Sequence, residues 1–403
     1  MRITRKEIVV VGGGTAGFAA AVSAARNGAD TLLIERYGFI GGAMTNGLVY
    51  PMMTSHFGDT QINRGILKEV VDKLTARGGS LGPLKCVYDR NTTMGSGGYI
   101  TQFDSEMFRC LAFEMLEDAG VDVRLHTFVT EAAVESGAVR GIRAVSKSGY
   151  ELILADVIID ATGDADVAWS SGAQCVFGSD STGEAQPMTL FFHLEHVDVQ
   201  RVKDYVLANR DQFVWMTLPQ PSQPVPPGFE DAFIAGSGFL DLIAEAKDQG
   251  ELDFGRDRIT FYNGLRKGQF ACNATRIPRL DPTTAEGLTQ AEIEGHRQIS
   301  SLMAFLRSGV PGFQDAYLSK IGTQVGVRES RHIVGDYVLT GEDILRGARF
   351  DDAVAVGAFP LDIHGSTATV GTWVDIDSPY DIPYSSLIPR GLNGIQDEYG
   401  MSD

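Results

Sequence analysis

The chain has 403 residues, with 43% in the hydrophobic set and 21% charged, a mixture that excludes collagen-like, coiled-coil and disordered chains. Its length suits two or three domains around a large core, and its formal charge of −18 argues against a nucleic-acid partner. Glycine, at 47 residues, exceeds its usual ~7% share and points to tight turns or close backbone approach to a ligand.

From the N-terminus, the start MRITRKE is basic and the apolar stretch after it is broken by glycines, so no leader peptide is expected. No run of ~18 apolar residues occurs, no membrane span is expected, and the expected location is cytoplasmic. Ile8-Val9-Val10-Val11 predicts a buried strand. Phe18 to Asn27 is Ala-rich and predicts a helix closed by Gly28, and Thr31-Leu32-Leu33-Ile34 predicts a second strand. This βαβ opening implies a parallel sheet covered by helices on both faces. Residues 38–60 predict a long functional loop, Ile62 to Leu74 a helix, 78–101 another loop, and Asp104 to Ala119 a helix with Phe108, Leu111 and Met115 along one side.

Residues 121–160 change to strand-like segments (Val121–Leu125, Phe128–Val134, Val139–Val145, Tyr150–Ile159) with turns at Ser136-Gly137 and Ser148-Gly149. They predict one more sheet strand plus a three-stranded meander. From about 175 the pattern becomes α+β. Met188–Leu194 predicts a strand, and Pro219, Pro221, Pro224, Pro226 and Pro227 an extended loop. Thr289-x-x-Glu292 predicts a capping box ahead of a helix carrying Ile299, Leu302, Met303 and Leu306, stopped by Gly309 and Pro311.

The chemistry begins at Gly12-x-Gly14-x-x-Gly17, between a strand and a helix, with Glu35 at the end of the next strand. Gly12 permits the tight turn, Gly14 lets a pyrophosphate approach the backbone, and Gly17 lets helix and strand pack closely. The helix N-terminus offers N–H groups and a positive dipole end to phosphates, and Glu35 can accept ribose hydroxyls. Three features favour FAD over NAD: Gly41-Gly42 opening the loop after Glu35, the meander, and Ala161-Thr162-Gly163-Asp164 closing a late apolar strand.

The stretches "VVVGGGTAGFAAAVSAARNGADTLLIERYGFIGGAMTNG", "VIIDATGDADVA", "TQAEIEGHRQISSLMAFLRSGVPGF", "GVRESRHIVGDYVLTGEDI", "GAFPLDIHG" and "YDIPYSSLIPRGL" carry a resemblance. The chain resembles FAD-dependent oxidoreductases related to the flavoproteins of fumarate reductase and heterodisulfide reductase. The resemblance implies an α/β fold: a Rossmann-type FAD-binding domain with a β-meander, plus an inserted α+β substrate domain. It implies an FAD-binding part at 1–170, a substrate or cap part at 171–325 and a return to the FAD-binding domain at 326–403. It implies FAD contacts at Gly12, Gly14, Thr15, Ala16, Gly17, Glu35 and Arg36, then at Gly41, Gly42, Ala43 and Met44, at Val129, and at Thr162, Gly163 and Asp164. After "IPRGL" the sequence departs from its relatives: their closing strand and Gly/Ala-rich helix are replaced by the acidic tail Asn393–Asp403. The expectation is therefore that this C-terminal FAD-binding segment is missing.

For proton transfer and substrate binding the candidates are His364, Arg328 and Arg331. His364 stands as a substrate-side acid or base or as a surface histidine. Arg328 or Arg331 stands as a bidentate carboxylate clamp, or both belong to a salt-bridge network with Glu329 and Asp336. His193 and Glu195 share a strand face and His196 takes the other, which argues against a metal site. The surroundings of His56 do not match those of a covalent flavin tether, and Cys86, Cys110, Cys175 and Cys272 form neither a disulfide framework nor a cluster motif. Cys272 suits a buried structural thiol.

The leading expectation is an oxidoreductase moving hydride or electrons between non-covalently held FAD and a small organic substrate. The electron acceptor is open, self-association is possible, and no metal, nucleic acid or membrane is involved. The rival is a non-catalytic remnant that folds without retaining flavin; a third reading is a nicotinamide-only dehydrogenase.

Overall fold

The structure is a computed structural model that describes residues 2–53, 55–85, 98–179, 181–217, 234–365 and 372–390. The proline-rich loop, Cys86 and the acidic tail lie outside the described residues.

Two six-stranded sheets organise the chain. The first contains β1 (Arg2–Val11), β2 (Thr31–Ile34), β3 (Asp122–Arg124), β4 (Thr127–Glu135), β5 (Ala138–Ser146) and β6 (Gly149–Asp160). Its order is β3-β2-β1-β6-β5-β4. The first four are parallel neighbours, with Val9 opposite both Leu32 and Ile158, while β6, β5 and β4 form the antiparallel meander. Val9, Val10, Leu32 and Leu33 are buried on both faces, as the continuous β-branched and Leu run of a covered parallel sheet requires.

The helix α1 (Thr15–Arg26) buries Phe18, Ala21 and Val22 against this sheet. Helix α2 (Ile66–Ala76) and helix α3 (Ser105–Ala119) complete that layer, with Phe18 edge-on to Phe108 of α3 at 5.8 Å. Asp104 caps α3, and Gly120 ends it in a left-handed conformation. The expected loop at 78–101 instead contributes a strand pair, Ser80–Lys85 against Tyr99–Phe103. Its Gly79, Gly82 and Pro83 mask the strand pattern, and cross-strand pairing overrides weak local propensity.

The short helix α4 (Asp166–Ser170) follows the first sheet. The second sheet, wholly antiparallel, contains β7 (Phe192–Glu195), β8 (Phe213–Thr217), β9 (Ala235–Gly238), β10 (Ile259–Asn263), β11 (Phe270–Asn273) and β12 (Tyr317–Ile321), in the order β8-β9-β10-β11-β7-β12. One face carries a core of aromatic rings (Phe213, Phe239, Phe261, Phe270, Phe313). It is covered by α5 (Val199–Ala208), α6 (Leu240–Asp248) and the long α7 (Ala285–Gly309). The expected strand at Met188–Leu194 is shorter, because Met188 and Thr189 make isolated bridges instead, to Ile277 and Gly326.

The capping box expected at Thr289 and Glu292 is not a helix start. The helix α7 begins four residues earlier behind the N-cap Thr284. The Thr289 hydroxyl donates to the Ala285 carbonyl within the helix at 2.7 Å. Glu292 accepts the Val325 N–H at 2.6 Å, so an acidic side chain that resembled a local cap serves a distant loop.

Candidate functional site

A cleft of about 910 Å³ runs between the C-terminal ends of β1, β2 and β6 and the open face of the second sheet. Its first wall is largely main chain. Gly12 turns at φ +100, and a Cβ there would lie 2.4 Å from the Ala161 carbonyl oxygen. At Gly17 a Cβ would lie 1.8 Å from the Gly12 carbonyl oxygen, so only glycine lets α1 approach the turn this closely. Gly14, Thr15 and Ala16 line the cleft at the N-terminus of α1, and among the described residues no side chain caps that end. Uncapped N–H groups and the dipole make an anion cradle.

Glu35 is buried beside this cradle. Its Oε2 accepts the Gly13 N–H at 2.6 Å and its Oε1 the Tyr37 N–H at 2.8 Å. Each oxygen keeps a lone pair for a hydroxyl in the cleft. Arg36, Gly42, Ala43, Val129, Thr162, Gly163 and Asp164 also line the cleft. Asp160 organises the last turn: its Oδ1 accepts the Thr162 N–H and hydroxyl at 3.1 and 2.7 Å, and its Oδ2 the Ala168 N–H at 2.9 Å. Burial raises the pKa of Asp164. Gly17, Gly41 and Met44 do not line the cleft: Gly17 is the contact point beneath it, Gly41 turns at φ +121 against Thr45 and Phe108, and Met44 packs on the first core.

The second wall is side chains. Alternation along the strands sends Phe261 and Phe270 into the core and Trp215, Ser237, Thr260, Tyr262 and Asn273 into the cleft. The same alternation continues back through the approach to β10 and adds Arg258 and Arg256. Arg258 is neutralised by Asp257, with two N–O distances of 2.7 Å. Arg256 donates from Nη1 to the Asn273 carbonyl at 3.0 Å, and its buried Nε has no partner among the described residues. Sequence reasoning missed both arginines; the signal for them is the period-two run Arg256, Arg258, Thr260, Tyr262.

Arg328 joins them, as one of the predicted candidates. It donates to the Pro187 carbonyl at 2.6 Å and to the Thr189 hydroxyl, and lines the cleft. Burial, then the charge of Arg256, lowers its pKa to about 10. Burial, then Arg276 and Arg258, lowers that of Arg256 to about 10. His364 also lines the cleft, its Nε2 3.1 Å from Asp362 Oδ1 and its backbone N–H donating to Gln186 Oε1 at 2.9 Å.

Arg331 is not brought to the cleft. It donates to the Asp164 carbonyl at 3.0 Å and to Asp166 Oδ1 at 2.9 Å, and lies over the Trp169 ring. The expected network with Glu329 and Asp336 is thus replaced by one with the turn after β6, while Glu329 accepts the Gln186 N–H and pairs with His332. His56 stacks on Tyr99 at 4.0 Å outside the cleft lining. Cys272 is buried in the second core, where burial pushes its thiol pKa up. His193 is buried on β7, and its Nε2 has no partner among the described residues. Burial lowers its pKa to about 4. Among the described residues no cluster of His, Cys, Asp or Glu could hold a metal, and no helix is long and apolar enough to cross a membrane.

The first wall fits FAD in its donors and acceptors: uncapped N–H groups for phosphates, a buried carboxylate for ribose hydroxyls, and a groove continuing past Gly42 and Ala43 toward the second sheet. The chain matches the family described as FAD dependent oxidoreductase over residues 7–396. Among solved structures it is similar to a geranylgeranyl bacteriochlorophyll reductase-like protein from Thermoplasma acidophilum (16% identity, 80% of this chain and 66% of that one, TM-score 0.48). It is also similar to the myxobacterial chondrochloren halogenase CndH (16%, 84% and 66%, 0.47). A third is p-nitrophenol 4-monooxygenase PnpA from Pseudomonas putida DLL-E4 (11%, 84% and 70%, 0.46). The chain spans just under two thirds of the length of the first two. No curated protein matches it.

Proposed function

The chain belongs to the FAD dependent oxidoreductases, and we propose that its cleft holds FAD non-covalently and exchanges hydride or electrons with a small organic substrate on the second wall. Kinship with the fumarate reductase and heterodisulfide reductase flavoproteins is part of this proposal. The observation that carries it is the continuity of one cleft from the Gly12–Gly17 turn to Arg328 and His364. A cofactor anchored on the first wall can therefore reach a substrate bound on the second. When bound, FAD supplies two-electron chemistry.

The chain's own residues do the rest. The N-terminus of α1 would take the pyrophosphate and Glu35 the ribose hydroxyls. On the second wall Arg328, fixed by the Pro187 carbonyl, would orient the substrate. His364, beside Asp362, would hold or release the proton that accompanies the transfer. Arg331 has no such part, because Asp166 occupies it.

The test is the visible absorption spectrum of protein purified from a flavin-replete host. The expected result is a two-banded flavin spectrum at about one FAD per chain, released by mild denaturation. Protein that is colourless, and stays so after incubation with FAD, overturns the proposal and leaves a folded chain without a cofactor.

A further inference from the structure

Two guanidinium groups, Arg256 and Arg328, line the cleft, with no carboxylate bonded to either among the described residues. Of the nearby acids, Asp257 is taken by Arg258, and Asp362, whose charge acts on Arg328 without bonding to it, lies against His364 and leaves the pair of arginines with one carboxylate between them. Arg276 adds a third cation behind them, its Nη2 on the Gly365 carbonyl. Burying a charge without an ionic partner is costly, and burying two like charges together more so. Both arginines show that cost in lowered pKa values. The unpartnered, buried Nε of Arg256 is a donor without an acceptor at the same place. The surrounding surface is aromatic, with Trp215, Tyr262 and Phe359 on the cleft.

We propose that the substrate of this site is an aromatic carboxylate, its carboxylate held between Arg256 and Arg328 and its ring lying along Trp215 and Tyr262. The assignment rests on the flavin reading above only for the reaction; the anion site itself is formed by the second wall. A carboxylate offers two acceptor oxygens to two guanidinium groups and supplies the missing negative charge. An apolar ring suits the aromatic walls better than a compact, strongly hydrated inorganic anion does.

Benzoate is the probe, titrated into the full chain with FAD added and separately without it. Binding is followed by the flavin band and by tryptophan fluorescence. Benzamide, which has the same shape without the charge, and inorganic phosphate are the controls. Benzoate is expected to bind at least ~10-fold more tightly than benzamide, and phosphate not to compete with it. Arg256→Gln is expected to weaken benzoate at least ~10-fold and leave benzamide unchanged, with Arg256→Lys intermediate. Flavin content and the unfolding midpoint report that each variant is folded.

Equal affinity for benzoate and benzamide, or phosphate displacing benzoate, overturns the assignment. So does Arg256→Gln shifting the flavin reduction potential while leaving benzoate affinity intact, because the cations would then serve the cofactor. Flavin bound with no preference for benzoate defeats this inference and leaves the oxidoreductase reading standing. Preference for benzoate with no flavin retained does the reverse.

Discussion

The two walls of the cleft are built of different material. The first is main chain: a glycine turn, a helix N-terminus and N–H groups, with Glu35 as its main side-chain contribution. The second is side chains spread over strands and loops from Thr189 to His364. At Gly12 and Gly17 the main-chain wall leaves no room for a Cβ, so those positions tolerate almost no substitution, while main-chain donors of this kind suit any ligand with the right phosphates. A side-chain wall sits on a scaffold whose core lies on the opposite face, so its residues can change without disturbing Phe213, Phe261 or Phe270 behind them. One wall suits a common cofactor and the other a particular substrate.

The contrast is easiest to break at Gly17. A valine there would push atoms into the Gly12 carbonyl, because even the Cβ would lie 1.8 Å from it. The expected loss is at least ~3 kcal/mol of stability, together with flavin retention. Urea unfolding and flavin content measure both. A yellow Gly17→Val protein with an unchanged midpoint would show that the first wall does not depend on close main-chain approach.

The second wall's sheet makes a different demand, through His193 in β7. Its folded pKa, about 4, lies below the ordinary ~6.5, so the folded state prefers the neutral ring. The unfolded state then binds more protons as pH falls. Stability from this group is complete above about pH 6.5 and is lost on descent toward pH 4, by about 3 kcal/mol. Substituting His193→Gln should flatten that part of the acid limb relative to the native chain in urea midpoints measured from pH 7 to 4. Parallel slopes in the two proteins would remove His193 as the cause.

A smaller effect is expected at Glu35, the polar exception on the first wall. Alanine there removes the proposed ribose acceptor and leaves the Gly13 and Tyr37 N–H groups without their partner. FAD affinity should drop ~10- to 100-fold, about 1.4–3 kcal/mol. Equilibrium dialysis reads it directly. An unchanged affinity would mean that the cradle of Gly12–Gly17 does the holding unaided.

This division also explains what was legible in the sequence. The first sheet was readable in its strands and meander, because each element and the glycine turn are local in the chain, except that β1 begins at Arg2, six residues before the Ile8–Val11 run, where charged residues pair with β6. The second wall was not, apart from Arg328 and His364. Arg256 and Arg258 belong to it only because β10 pairs between β9 and β11 and so turns alternate residues outward. Arg331, three residues from Arg328, looked equally suitable, and only the fold shows that Asp166 occupies it. The strand pair at Ser80–Lys85 and Tyr99–Phe103 was hidden for a related reason: its glycines and proline speak for a loop, and its pairing is non-local.

The smallest effect asks what joins the walls. Asp104 caps α3 through Oδ1, accepting the Glu106 and Met107 N–H groups at 2.9 and 3.1 Å. Through Oδ2 it meets Arg266, in the turn before β11, at 2.7 Å. The two oxygens do separable work. Asp104→Asn keeps a capping oxygen and removes the charge, whereas Asp104→Ala removes both. Arg266 is 69% exposed, so water and salt screen the pair and its worth is below ~0.5 kcal/mol. The cap is worth about 1 kcal/mol. The alanine variant should therefore lose clearly more stability than the asparagine variant in urea. The reason lies in packing: Ala271 of the second sheet is buried in the first core, with Tyr262 packed against it beside Tyr50 and Phe103. Apolar contact at that seam makes the ion pair dispensable, and an asparagine variant as unstable as the alanine one would show instead that the charge holds the two walls together.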